Sequence, residues 1–289
     1  MQTVLFDEQS IPPFKTQLLK WIGNKQRFAH EIAGYFPKEI GTYFEPFIGS
    51  GAVLATLAPK KAEASDVFAP LVEIWNTLST DPNRLKAWYE ERWNSCQGTD
   101  RVIAYEAIKA SYNANPNGAD FLFLCRSCYG GVVRFRKADG FMSTPCGAHK
   151  PIPPSSFAAR VDLWRDRTRG TKFFCRDYKD AFKRAKRGDF IYCDPPYTHS
   201  QAILYGAQSF SLPELCEEIA LCKSKGINVA LSIDGTKKSG SEQCELPIPI
   251  GIFEREAFVN CGRSMLRRFQ MAGQTLEGEV VSDRLLLTF

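Results

Sequence analysis

Asp194-Pro195-Pro196-Tyr197 follows directly on the apolar run Phe190-Ile191-Tyr192-Cys193. A buried strand ending in an acid, two prolines and an aromatic ring puts a carboxylate at the carboxyl end of a strand, where open α/β sheets bind ligands. The chemistry that suits this group is activation of an amine attached to an aromatic base. Such an amine is a poor nucleophile because its lone pair is delocalised into the ring. A carboxylate and a backbone carbonyl accepting its two N–H protons draw the nitrogen towards tetrahedral geometry and favour the charge developing there. The prolines stiffen the backbone so that the carbonyl points inward, and Tyr197 offers a face for the base to stack on. Taken alone, the tetrapeptide is also compatible with a proline-rich turn that caps a strand.

A second group lies upstream. Phe47-Ile48-Gly49-Ser50-Gly51 is a glycine turn between a short apolar strand from Tyr43 and the helix-compatible AVLATLA, and it lets a ligand approach the backbone closely. It lacks the third glycine of a dinucleotide fingerprint and the lysine of a phosphate-binding loop, which disfavours NAD and ATP. Asp66, at the end of the next strand, AEASDVF, stands where an acid can hold two ribose hydroxyls, or where it would cap the following helix.

The elements that must position these residues read as β-α-β-α from Tyr43 to the helical PLVEIWNTL, the start of a doubly wound α/β sheet with helices on both faces. From Asp81 the pattern changes to polar helices rich in Trp, Tyr and Arg. The apolar stretch Phe121 to Cys128 follows, then a turn-rich ribbon in which Lys137-Ala138-Asp139-Gly140 is the natural hairpin turn. Pro151, Pro153 and Pro154 interrupt regular structure before a helix near Ser156 to Thr168. Strand-like and helix-like pieces then alternate again, KFFCRDY, KDAFKRAKRG, DFIYCDPPY, LPELCEEIALCKSKG and INVALSID, and the stretch from Ala257 reads as two strands ending in DRLLLTF. The expected organisation is a catalytic domain in two pieces, 14–80 and 170–289, around an inserted, mostly helical domain at 81–169 with a hairpin at about 129–147.

The 289 residues suffice for two lobes, and 44% apolar with 24% charged residues fits a globular chain rather than a disordered one. No apolar run is long enough for a membrane span, and Met1 to Phe14 carries Asp7, Glu8 and two prolines where a signal peptide needs a basic start and an apolar stretch, so the expectation is a cytoplasmic protein. The ten irregularly spaced cysteines fit a reducing compartment as free thiols. Net charge is +5, but 81–187 holds 21 Lys and Arg against 11 Asp and Glu, which leaves the remainder acidic. A basic middle in an acidic frame suits a segment that faces phosphates, and a solvated helical surface would show the same charge.

Four elements in order resemble the Dam-type, D12-class DNA adenine-N6 methyltransferases over nearly the whole chain: LKWIGNK (Leu19 to Lys25), EPFIGSGAV (Glu45 to Val53), SDV (Ser65 to Val67) and YCDPPY (Tyr192 to Tyr197). The resemblance implies a Rossmann-like S-adenosylmethionine-dependent methyltransferase sheet, direct methyl transfer to N6 of a flipped-out adenine in duplex DNA, and no covalent intermediate. It assigns Trp21, Gly23, Lys25, Glu45, Phe47, Gly49, Gly51, Asp66, Asp177 and Asp194 to the cofactor. Lys25 would serve the methionine carboxylate, Asp66 the ribose and Asp177 the border of the adenine. Asp194, Pro195, Pro196 and Tyr197 form the catalytic group, and 198–209 would close over the flipped base.

By the same resemblance the insertion is a target-recognition domain. Arg134 matches an arginine that reads a guanine edge, Lys20 matches a second base-reading position, and Tyr129 would stack into the gap left by the adenine. Arg136 and Lys137 read as phosphate contacts. The chain departs from the family pattern at Asn24, at Gly130 in place of the hairpin Asn, in FMSTPCG where relatives have an FNVP-type run, and in FVNCGRSMLRRFQ, so the target sequence does not carry over.

Cys125-x-x-Cys128 and Cys146-x-x-His149 have spacing that suits a structural zinc site at the hairpin base, but Cys125 continues an apolar run and the reading taken is buried thiols without metal. The alternatives are an amino-methyltransferase acting on RNA or a protein glutamine, and a DNA-binding module that has lost catalysis. The basic insertion and hairpin favour duplex DNA over the first, and the intact motifs favour an enzyme over the second. The resemblance implies a bacterial or phage monomer, either paired with a cognate restriction endonuclease in a restriction–modification system or acting in DNA marking.

Overall fold

The computed structural model describes residues 9–196, 210–234, 236–237, 242–243, 247–263 and 280–289. Its centre is a parallel sheet covered on both faces, with the innermost strands buried along their whole length. Strand β1 (Tyr43–Glu45) pairs in parallel with β2 (Ala62–Asp66) on one side and with β4 (Phe190–Cys193) on the other. Strand β3 (Thr171–Cys175) extends the sheet beyond β2, and β5 (Asn228–Asp234) extends it beyond β4. After the short pair β6 (Thr236–Lys237) and β7 (Glu242–Gln243) come β8 (Arg255–Arg263) and β9 (Val280–Leu287), the latter inserted antiparallel between β5 and β8. The order is β3-β2-β1-β4-β5-β9-β8. Chain direction across the sheet reverses between β1 and β4, which opens a crevice at their carboxyl ends.

Side chains alternate between the two faces along β4. Phe190 and Tyr192 join Tyr43 and Phe173 on one face, packed with α1 (Ala29–Gly34), α2 (Ala52–Leu57) and α3 (Ala69–Thr80). Ile191 and Cys193 join Phe44 and Leu231 on the other face, under α8 (Tyr178–Arg184) and α9 (Leu212–Ser224).

Between α3 and β3 stand α4 (Pro82–Ser95), α5 (Arg101–Ala114), α6 (Gly118–Ser127) and α7 (Pro154–Arg167). Side chains of Asp81, Asp100 and Asn117 cap the first three by accepting otherwise orphaned amide protons. These helices have no core of their own. Tyr89, Phe121, Phe157 and Trp164 belong to the same apolar cluster as the sheet face, joined through Trp75, whose ring lies 5.4 Å from Trp164 and 5.7 Å from Phe173. The two lobes expected from chain length therefore share one interior. Among the described residues no helix is long and apolar enough to cross a membrane.

The segment leading into the sheet domain is strapped to the inserted helices by its backbone. Trp164 donates its indole N–H to the Thr16 carbonyl at 2.9 Å, Arg160 donates to Gln17 at 2.9 Å, and Arg126 donates to both Gln17 and Leu18.

Candidate active site

Asp194, Pro195 and Pro196 leave the end of β4 and line a cleft over the carboxyl ends of β1, β2 and β4. Trp21, Gly23 and Lys25 enter it from the strapped amino-terminal segment, Glu45, Phe47 and Gly49 from the β1–α2 turn, Asp66 from β2 and Asp177 from the β3–α8 connection. Gly51 does not line it. Its φ of +64° starts α2, and a Cβ there would meet Trp75 at 3.1 Å and Trp164 at 3.3 Å, so this glycine serves the core rather than the ligand. Tyr197 and 198–209 lie outside the described residues.

The charges in the cleft are arranged around Lys25. Its ammonium lies 3.0 Å from Asp194 Oδ1 and 3.1 Å from Asp283 Oδ2, with all three side chains at least four-fifths buried. Burial alone would lower the Lys25 pKa, but the two carboxylates outweigh it and hold it above the ordinary lysine value. Glu45 is fully buried beside them. Burial pushes its pKa up to about 8, against a hydrogen bond donated by the Tyr43 hydroxyl, while the Asp194 charge adds to the rise. Tyr192, two residues before Asp194, donates its hydroxyl to Ser232 Oγ at 3.0 Å and so ties β4 to β5.

Asp66 accepts from the Phe68 amide at 3.1 Å and the Gly49 amide at 3.3 Å, and burial raises its pKa to about 6. It therefore links the end of β2 to the glycine turn; the residue at the α3 N-cap is Phe68. Gly49 has a φ of +44° and lies against the Trp21 indole, which a Cβ would meet at 2.9 Å, while its carbonyl accepts from Trp75 Nε1 at 3.2 Å. Asp177 combines two positions, lining the cleft and capping α8 through the Lys179 amide at 2.9 Å.

The ribbon at 128–146 is a loosely paired hairpin held by two isolated antiparallel bridges, Cys128 with Cys146 and Phe135 with Met142. Val133, Phe135 and Met142 turn into the core, leaving Arg134, Arg136 and Lys137 exposed on the outer side. Tyr129 begins a 3-10 turn and is 48% exposed. Gly130, in place of the family's Asn, takes a φ of +65°, a region that Asn also tolerates. Lys20 packs beside Gly131, and partial burial with the nearby Arg126 and Arg160 cations lowers its pKa. Arg136 is bound to Asp139 at 2.6 Å and stacked over Phe141 at 4.1 Å, so it braces the ribbon tip and is less available for phosphate than expected.

Set against known proteins, residues 21–242 match the sequence model of the D12 class of N6 adenine-specific DNA methyltransferases. The chain belongs to this family. The DNA adenine methylase of Vibrio cholerae serotype O1 is 28% identical over 233 residues, 74% of this chain and 79% of the relative. The DNA N-6-adenine-methyltransferase of Escherichia phage P1 is 28% identical over 201 residues, 66% of this chain and 25% of that protein. Type II methyltransferase M.MjaIII of Methanocaldococcus jannaschii is 29% identical over 198 residues, 62% and 68% respectively. The family resemblance of the four motifs thus holds, and with it the methyltransferase sheet.

One residue of this methyltransferase's charge cluster escapes sequence reading. Asp283 stands 258 positions from Lys25, in a strand whose Ser282, Asp283 and Arg284 interrupt its apolar residues and single out no one of the three. Conversely, the four possible zinc ligands do not converge: among the described residues no group of three or more His, Cys, Asp or Glu is placed to hold a metal ion. Cys125 and Cys128 point at the Leu122 and Cys125 carbonyls of their own helix, and burial pushes both thiols up to about 12.

Proposed function

We propose that this methyltransferase uses S-adenosylmethionine to methylate the N6 amine of an adenine turned out of duplex DNA at a specific site. The reading rests on one observation: Asp194 and its prolines open onto the same cleft as Lys25, Glu45 and Asp66, at the reversal point of the sheet.

The cleft suits such a donor. Asp66 at the end of β2 would take the ribose hydroxyls, Phe47 and Asp177 would border the adenine, and the buried acid Glu45 is a partner for the ammonium. The backbone at Gly49 leaves no room for a Cβ beside Trp21, so the main chain itself forms that wall. Lys25, given by resemblance to the methionine carboxylate, lies between Asp194 and Asp283, where it anchors the acceptor carboxylate. When bound, S-adenosylmethionine supplies an electrophilic methyl group on a sulfonium.

The chain's own part is to hold the amine. Asp194 accepts one N–H and a backbone carbonyl of the proline turn accepts the other, localising the lone pair for in-line attack. Among the described residues no thiol needs to take part. Cys193, adjacent to Asp194, is fully buried, and burial with neighbouring acidic groups holds its pKa far above the usual thiol value. The exposed side of the ribbon, which carries Arg134, Lys137 and Tyr129 and has Lys20 packed at Gly131, is the surface for the duplex.

Single-molecule methylation sequencing of DNA from a methylation-free host expressing the protein tests this. N6-methyladenine is expected in one defined motif, and none from Asp194→Ala, in which Asp283 remains to pair with Lys25, so that the variant should still fold and bind cofactor, more weakly than the wild type. Unmodified DNA from a cofactor-binding wild-type protein would move the acceptor to RNA or a protein amide.

A further inference from the structure

Arg134 is exposed, yet its peptide group is fixed on both sides. Its N–H donates to Thr144 Oγ1 at 2.7 Å, and its carbonyl accepts from the Ser143 amide at 3.0 Å. The Thr144 hydroxyl in turn donates to the Val132 carbonyl at 3.0 Å, and Thr144 is only 3% exposed. One buried hydroxyl therefore bonds both the amide of Arg134 and the carbonyl two residues before it, where a regular hairpin would use backbone groups of the opposing strand.

The return strand that carries Thr144 is itself held by side chains of α5. Tyr105 donates its hydroxyl to the Thr144 carbonyl at 2.8 Å. Asn113 behaves as a strand partner: its Oδ1 accepts from the Met142 amide at 2.7 Å and its Nδ2 donates to the Met142 carbonyl at 3.2 Å.

We propose that Thr144 is a positioning residue for sequence specificity: its hydroxyl sets the backbone at Arg134 and so aims the guanidinium at one base pair. The proposal rests on reading Arg134 as the base-contacting side chain. A forked contact to a base edge depends on direction, so a ribbon that rocks at Arg134 keeps its charge near the duplex and loses discrimination. Thr144→Val preserves shape and removes the hydroxyl; Thr144→Ser preserves the hydroxyl.

The test uses the full chain and two readouts. In hydrogen exchange, the Arg134 amide is expected to exchange faster in Thr144→Val than in the wild type and to be protected again in Thr144→Ser; unchanged exchange in Thr144→Val overturns the proposal. In single-turnover methylation of the cognate duplex and of duplexes altered at each base pair, Thr144→Val is expected to lose about fivefold of discrimination, the worth of one hydrogen bond, at the pair affected by Arg134→Ala. Nonspecific affinity should stay unchanged, Thr144→Ser should restore the loss, and Thr144→Val should add nothing in an Arg134→Ala background. A uniform fall across all duplexes, or losses that add, would make Thr144 a stability residue only. If Arg134→Ala leaves every base preference intact, the base-reading assignment fails through its own arm, and the specificity role of Thr144 falls with it.

Discussion

Glu45 carries the most pronounced pH consequence in the cleft. A glutamate titrates near 4.5 in an unfolded chain, and burial moves Glu45 to about 8 in the folded one, so the native state holds its proton more tightly. Its contribution to stability is then complete below about 4.5 and is lost as pH rises towards about 8. Asp66 adds the same sign over a lower window, from 3.8 to about 6. Glu45→Gln keeps an acceptor for the Tyr43 hydroxyl and removes the titration. Thermal melts of cofactor-free protein from pH 5 to 8.5 should show the decline flattened in the variant, with Tm at pH 8 higher by about 2–4 °C for each kcal/mol of relieved burial. Parallel curves for the two proteins would mean that Glu45 is not buried as a charge. At this scale Asp194, Gly49 and Asp66 were legible because each stands at a strand end or in a turn, whereas Trp21 and Lys25 came only from the resemblance of their motif. Asp283 was not legible, because an ion pair between Lys25 and the last strand leaves no local pattern.

The turn between β1 and α2 shows how two glycines of one motif come to do different work. Both have positive φ, +44° at Gly49 and +64° at Gly51, but Gly49 faces the Trp21 indole in the cleft and Gly51 faces Trp75 and Trp164 in the core. Gly49→Ala should therefore displace Trp21 and raise the cofactor Kd by about tenfold or more, a cost near the strain of an L-residue in this region. Gly51→Ala should lower stability by about 1–3 kcal/mol while the folded fraction binds cofactor almost normally. Isothermal titration and denaturant unfolding of the two variants separate these outcomes, and the reverse pattern would exchange the roles. The sequence marks both glycines but not the direction each faces, which depends on tryptophans brought in from elsewhere in the chain. The same limit holds for the ribbon. Its turn at Lys137–Gly140 was readable from composition, whereas its bonding through Thr144 and Asn113 was not, because no spacing rule says which hydroxyl meets which amide.

Across the whole molecule, the inserted helices and the sheet share one apolar cluster, and the strap Thr16–Lys20 runs between the inserted helices and the cleft. The α/β class of the fold could be read from the alternating patterns along the chain, but the strap carries no hydrophobic period, and backbone carbonyls that accept from distant arginines have no sequence signature. Its placement makes it consequential. The strap leads without a break from the Arg126 contact at Leu18, past Lys20 beside the ribbon, to Trp21 and Lys25 in the cleft. Arg126 lies 5.6 Å over the Phe157 ring, so Arg126→Met retains much of the packing and removes the donors to Gln17 and Leu18. The variant is expected to lose about 1.5–3 kcal/mol of stability, the range for hydrogen bonds that involve a charged group, and to bind cofactor more weakly at a temperature where it remains folded. Sequence discrimination should fall in the same variant, because Lys20 loses its fixed place beside Gly131. Unfolding curves, cofactor titration and the duplex panel resolve the alternatives. Weaker discrimination with unchanged cofactor affinity would confine the strap's role to the ribbon, and a stability loss alone would reduce it to packing between the helices and the sheet.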